Sequence, residues 1–161
     1  MDFRIGFGFD LHQLEEKSTF YLGGINIPHH KGAVGHSDAD VLIHAICDAI
    51  LGAVNLGDIG THFPDTSNEY KNIDSKILLK QVIEKLIAKG YKIHNIDSTI
   101  CLEAPKINTY VSKMKNVLAE CINVSVDDIS IKATTYEKKG IIGKEEAVSA
   151  YAVVLVKRFS G

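Results

Sequence analysis

Three amphipathic helical stretches alternate with strand-like runs along this chain, and three helices are too few to cover both faces of the sheet those strands would form. The first helix is predicted to open at Ser37, where Ser37-x-x-Asp40 has capping-box spacing. Val41, Leu42, Ala45, Ile46, Ala49 and Ile50 then share one face. The second covers residues 75–88, with Leu78, Leu79, Val82, Ile83 and Leu86 inward and Gly90 at its C-terminal cap. The third covers 107–122 and buries Tyr110, Val111, Met114, Val117, Leu118 and Cys121. Strands are predicted over 2–9, 91–102, 129–136 and 147–157, with a hairpin of 19–22 and 25–27 around Gly23-Gly24. Gly6 and Gly8 in the first strand permit close backbone approach. The expected fold class is α+β: one mixed sheet, helices on one face, the other face buried by self-association.

The length of 161 residues predicts one domain spanning 1–161. A net charge of −2 gives no general attraction to nucleic acid, so an anionic ligand would be held locally. No basic stretch precedes an apolar run at the start, and no segment approaches the length of a membrane span; neither a leader nor a membrane partner is expected. Cys47, Cys101 and Cys121 are far apart and odd in number, which reads as buried thiols in a reducing compartment, the cytoplasm by default.

Chemistry concentrates in Asp10-Leu11-His12 and, some thirty residues on, in the stretch from His36 to His44. Residues i and i+2 of an extended chain point to one side, so Asp10 and His12 reach a common point. His44 lies on the first predicted helix, about two turns in, sharing a face with Asp40 and Asp48. Three ligands without cysteine suit a catalytic zinc site, which keeps a position open. Asp40 or Asp48 would take the other ring N–H of His44. The same residues also read as caps and solvated polar groups. His29, His30, His62 and His94 are expected to face solvent.

Seven short patterns occur in order, at residues 8–12, 23–28, 36–45, 56–60, 63–66, 104–106 and 132–137. Together they run from Gly-Phe-Asp-x-His to Lys-Ala-Thr-Thr-x-Glu, and in this order they closely resemble the 2-C-methyl-D-erythritol 2,4-cyclodiphosphate synthases over essentially the whole chain. The resemblance implies cyclisation of 4-diphosphocytidyl-2-C-methyl-D-erythritol 2-phosphate with release of CMP, in the bacterial non-mevalonate isoprenoid pathway. It implies a fold of the Bacillus chorismate mutase type and a homotrimer, with sheets lining the three-fold axis and active sites between neighbouring subunits.

Residue by residue, the resemblance implies Zn²⁺ on Asp10, His12 and His44, and Mg²⁺ or Mn²⁺ on Glu137. His36 and Thr135 match transition-state-stabilising positions. His36 and Ser37 are expected beside a helix N-terminus, where N–H groups favour phosphate. Asp58, Ile59 and Gly60 match the loop for the methylerythritol hydroxyls. Phe63, Pro64, Asp65, Thr66 and Ser67 match a segment that covers the substrate. Leu102, Glu103, Ala104, Pro105, Lys106, Ile107 and Asn108 match a cytidine pocket, and Thr134 and Tyr136 flank Thr135 in the last motif. Read from residue type alone, Asp58 caps a turn, Phe63 is core and Lys106 is a surface lysine.

The chain departs from the family pattern over Gly140-Ile141-Ile142-Gly143-Lys144-Glu145-Glu146, where Ile141 stands for a substrate-adjacent Phe and Lys144 for an Arg. Lys does not reproduce the two-pronged grip of Arg on phosphate. The metal triad alone equally fits a zinc phosphohydrolase, and the cytidine segment alone a trimeric nucleotide-binding module. Retention of Asp10, His12, His44 and Glu137 together argues against a pure binder.

Overall fold

The computed structural model describes residues 2–64, 66 and 70–159. Its elements in order are β1 (Phe3–Glu16), β2 (Tyr21–Leu22), β3 (Ile25–Asn26), β4 (Lys31–Val34), α1 (Val41–Ala53), α2 (Ile59–His62), α3 (Ser75–Ala88), β5 (Tyr91–Cys101), α4 (Val111–Ile122), β6 (Ile129–Thr134), α5 (Gly140–Gly143) and β7 (Ala147–Arg158). Five strands form a mixed sheet in the order β4-β1-β7-β5-β6. All neighbours are antiparallel except β5 and β6, which are parallel and joined through α4. The fold is α+β, as the alternation of periodicities predicts.

The side chains of β1 sort by face. Gly6 and Gly8 turn toward α1; a Cβ at Gly6 would stand 1.7 Å from the Ala49 carbonyl oxygen, and one at Gly8 1.9 Å from that of Ala45. The helix backbone therefore lies directly on the strand, which only glycine allows. Val148, Ala150, Ala152, Val154 and Val156 of β7 continue the same face and are fully buried. α1 is apolar nearly all round because α3 covers its other side. α4 packs against β6 and α3.

The opposite face is apolar and open. Ile5 is 71% exposed and Phe7 61% exposed, with Phe9, Leu11 and Val153 beside them. Phe9 and Tyr151 stack at 4.9 Å. Among the described residues nothing packs over this face.

Several elements differ from expectation. β1 runs on to Glu16, because its second half pairs with β4. β4 itself, Lys31-Gly-Ala-Val34, carries too little patterning to announce a strand. α1 begins at Val41, not Ser37: Asp40 is its N-cap and accepts the Ile43 N–H at 3.0 Å. His44 therefore sits in the first turn. The Gly23-Gly24 hairpin is present, with positive φ at both glycines. The third helix is a 3-10 turn over Asn108–Tyr110 followed by α4, and Tyr110, Val111, Val117 and Cys121 are only half-buried. His29 and His62 are also half-buried, the latter through a 2.8 Å bond to the Leu56 carbonyl. No helix among the described residues is long and apolar enough to cross a membrane.

Candidate functional site

Pairing with β7 keeps β1 extended across Asp10 and His12, so both side chains emerge on the face that carries α1. The first turn of α1 delivers His44 to the same point. Three atoms meet there: Asp10 Oδ2 lies 2.8 Å from His12 Nε2 and 2.9 Å from His44 Nδ1, and the two nitrogens are 3.0 Å apart. His44 is buried, while Asp10 and His12 are partly open to a cleft of about 440 Å³. His36, Ser37, Ile59, Gly60, Phe63, Pro64 and Thr66 line that cleft as well, with Tyr70, Ile73 and Leu78 behind them.

The outer nitrogens show what the inner ones carry. His12 Nδ1 donates to the Val34 carbonyl at 3.1 Å, so in the neutral ring Nε2 is a lone pair. His44 Nε2 lies 3.0 Å from both Ser37 Oγ and Ser75 Oγ, with Nδ1 inward. Two imidazole nitrogens and a carboxylate oxygen thus face one another, and a proton or a cation must stand between them. Tetrahedral ligands at zinc distances are about 3.3 Å apart, close to the spacing seen, so this donor set fits a divalent ion. Burial alone would raise the Asp10 carboxyl; the bonds from His12 and His44 overcome it and hold Asp10 well below the usual carboxylate range. Burial would lower His12, and Asp10 more than offsets that, raising it.

Asp40 and Asp48 are not the partners of the His44 ring. The Asp40 carboxylate is buried on the backbone N–H groups of Gly23, Gly24 and Ile43, so it docks the hairpin onto α1. Asp48 accepts the Ile59 N–H at 2.8 Å and ties α1 to α2. The partners are hydroxyls, and one of them, Ser75, lies on a different helix where no spacing pattern could flag it. His36 and Ser37 precede α1 by four to five residues, in a bend, and neither opens the helix. Asp58 caps α2, taking the Thr61 N–H and hydroxyl at 2.9 Å each, and does not line the cleft. Asp65 and Ser67 lie outside the described residues.

A second cavity, about 230 Å³, is lined by Leu102, Glu103, Pro105, Lys106, Ile107 and Asn108 together with Thr134 and Thr135. The parallel β5–β6 pair places these two segments side by side at the C-terminal ends of both strands. Glu103, which sequence reasoning placed only within the pocket, also accepts the Tyr136 N–H at 3.1 Å and joins the segments. Glu137 has a left-handed backbone, φ 51°, and its carboxylate accepts the Thr135 hydroxyl at 3.3 Å. Tyr136 is exposed; its bond to Tyr151 pushes its hydroxyl up to about 12. Ile141 and Lys144 stand on α5 and at its end, with Ile141 beside Leu11 in a third depression. The first two cavities share no lining residue. A looser group, His29, His30 and Glu145, offers ligand atoms within 4.8 Å of one another, half-buried to exposed.

A mixed α+β sheet with an Asp-His-His cluster at one cleft and a separate loop-built cavity is a specific combination. The chain belongs to the YgbB family, whose model matches residues 3–157. It is 61% identical over 98% of its length to the 2-C-methyl-D-erythritol 2,4-cyclodiphosphate synthase of Bacteroides fragilis (strain YCH46), covering 99% of that protein. It is 54% identical to the synthase of the same name from Cytophaga hutchinsonii, over 97% of this chain and 98% of that one. Among solved structures, it superposes on the bifunctional IspDF of Campylobacter jejuni with TM-score 0.95 at 38% identity, 99% of this chain spanning 43% of that one. It superposes on a CDP complex from Plasmodium falciparum with TM-score 0.86 at 33% identity, covering 98% of this chain and 97% of that one.

Proposed function

We infer that the cleft holding Asp10, His12 and His44 is the metal-dependent half of a catalytic centre. The chain converts 4-diphosphocytidyl-2-C-methyl-D-erythritol 2-phosphate to 2-C-methyl-D-erythritol 2,4-cyclodiphosphate and CMP, a cyclising phosphorus–oxygen lyase reaction of the non-mevalonate isoprenoid pathway. The observation that carries the metal reading is the convergence of two imidazole nitrogens and a carboxylate oxygen within 3.0 Å of one another. The CDP complex of the Plasmodium relative supports a cytidine nucleotide as ligand, and we assign the second cavity as its pocket.

The substrate's 2-phosphate attacks the β-phosphate of its own diphosphate, and CMP leaves. Both partners are anionic, so the site must position them and neutralise charge; it needs no protein nucleophile. Zn²⁺ on Asp10, His12 and His44, with Mg²⁺ or Mn²⁺ on Glu137, would polarise the phosphate oxygens. Glu137 suits a hard ion that takes few carboxylates plus phosphate oxygens. His36 and Ser37 line the cleft with donors for phosphate. Gly60 and Phe63 shape the wall that would hold the methylerythritol unit, and Asp58 caps the short helix that carries Gly60. Leu102 to Asn108 and Thr134 to Glu137 orient the cytidine and diphosphate.

The zinc donors line one cavity, and Thr135, which hydrogen-bonds Glu137, lines another that shares no residue with it, so we read one protomer as supplying half a site. We read the exposed apolar face of β1 and β7 as the surface that closes a cytoplasmic homotrimer of single-domain subunits, sheets inward, bringing one chain's cytidine cavity against its neighbour's metal cleft. The test is incubation with the cytidyl substrate and Mg²⁺. CMP release with stoichiometric cyclic product and no inorganic phosphate is expected; inorganic phosphate would make this a zinc phosphohydrolase instead.

A further inference from the structure

Each cluster histidine has one ring nitrogen turned away from the cluster, and the partner of that nitrogen decides where the ring hydrogen sits. For His12 the partner is a carbonyl, which only accepts. For His44 it is a hydroxyl, which can donate or accept, so the decision is made one bond further out.

The Ser75 hydroxyl donates to Asp38 Oδ1. Asp38 also receives the Ser75 N–H on Oδ2 at 3.0 Å and the Asp40 N–H on Oδ1 at 3.2 Å. A carboxylate surrounded by three donors is an acceptor only. A hydroxyl has one hydrogen; with that hydrogen on Asp38, Ser75 Oγ presents only lone pairs to His44 Nε2, 3.0 Å away. Nε2 must then donate. Ser37 Oγ, also 3.0 Å from Nε2, shares that hydrogen as a second acceptor. Ser75 is fully buried, and neither it nor Asp38 lines the cleft, so neither touches substrate.

We propose that Asp38 and Ser75 are positioning residues which fix the His44 tautomer, keeping the hydrogen on Nε2 and the Nδ1 lone pair aimed at Asp10 and His12. The inference rests on the reading of those three residues as a divalent-metal site. It makes Asp38→Asn a directional probe. An amide placed with its NH₂ on the Oδ2 side would confront the Ser75 N–H, which cannot move. Placed on the Oδ1 side, the NH₂ meets the Asp40 N–H, at 3.2 Å the longer of the two backbone bonds, and the Ser75 hydroxyl, which can rotate away. The hydroxyl then donates to His44 Nε2, and the ring hydrogen shifts to Nδ1, where it blocks metal.

The experiment measures zinc affinity of the full chain by competition with a chelating indicator. Alongside it, ¹⁵N ring resonances of His44 are read in metal-free protein near pH 8, about 1.5 units above the ordinary histidine value. Wild type should show hydrogen on Nε2. Asp38→Asn should move it to Nδ1 and weaken zinc binding about 10–100-fold. Ser75→Ala should lose about tenfold, since Ser37 still accepts, and Ser75→Thr should recover it. Wild-type affinity and an unmoved tautomer in Asp38→Asn would overturn the proposal. If that variant fails to fold, equal affinities of Ser75→Ala and Ser75→Thr would overturn it. Absence of zinc binding in wild type overturns the metal reading instead, and the tautomer measurement then decides the relay alone.

Discussion

At the scale of single residues, the two halves of the site make separable predictions. Glu137→Gln touches none of the zinc donors, so zinc content should be unchanged. A hard cation held by Glu137 would keep a neutral carbonyl oxygen in place of a carboxylate, a much weaker ligand. CMP release should fall about a hundredfold or more, measured with Mg²⁺ varied. Loss of zinc in this variant would show that Glu137 has been given the wrong role. Asp48 offers a pH-dependent test. Burial pushes its carboxyl up despite the Ile59 N–H bond, with Asp58 and Asp10 adding to the effect. A carboxyl raised in the folded state holds a proton that the unfolded chain has released, so stability falls as pH rises through that interval. Asp48→Asn keeps an acceptor for Ile59 and removes the charge. It should raise Tm at pH 7 and leave it unchanged below about pH 3.9, the ordinary Asp value. What could be read from sequence here follows from spacing. Asp10 and His12 are two apart on a strand, and His44 is on a patterned helix, so their meeting point was legible. The pairing of Ser75 with Asp38 was not, because it joins residues 37 positions apart through a hydroxyl, which has no periodicity.

At the scale of elements, α1 on β1 is the contact that builds the cluster, and its two kinds of glycine should respond oppositely. Gly8→Ala puts a Cβ against the Ala45 carbonyl, backbone that cannot rotate away. The helix must lift, taking the adjacent His44 with it. A loss of about 3 kcal/mol or more is expected by denaturant unfolding, together with weaker zinc binding. Gly52, near the end of the same helix, has no heavy atom within 4 Å of the point where an added methyl group would stand. Gly52→Ala should stabilise by about 0.5–1 kcal/mol through helix propensity. A loss of stability there would contradict this. The long elements were legible because α1, α3 and β7 carry strong periods or apolar runs. β4, α2 and α5, each four residues long, were not: their backbones are placed by β1, by Asp58 and by the turn at Lys139, not by patterns of their own.

At the scale of the whole molecule, the open sheet face is the feature that asks for a partner. Contiguous exposed Ile5, Phe7 and Phe9 beside Tyr151 are unusual for a monomer. Sedimentation at micromolar concentration should give three chains per particle. Phe7→Lys would place charge in the middle of the buried surface and should yield monomer. Zinc content should survive in that monomer, because all three donors come from one chain, while CMP release should be lost. A monomeric wild type, or an active monomeric Phe7→Lys, would contradict the trimer. A helix count too low for two faces already pointed to this surface; which residues line each cavity was not legible, since that depends on loops brought together by the parallel β5–β6 pair.

β7 sits between β1 and β5, yet it follows every other strand along the chain. Its register pairs Phe3 with Lys157, Asp10 with Ala150 and His12 with Val148. The strand bearing two of the three converging side chains is thus held straight by a segment nearly the whole chain away. Contacts of such long sequence separation are slow to form, and folding on the millisecond-to-second scale follows. On a ribosome, β1 and α1 emerge early but wait for β7. The ability to capture an ion should therefore arrive with the closing of the sheet, late in folding, although every donor atom lies within the first 44 residues.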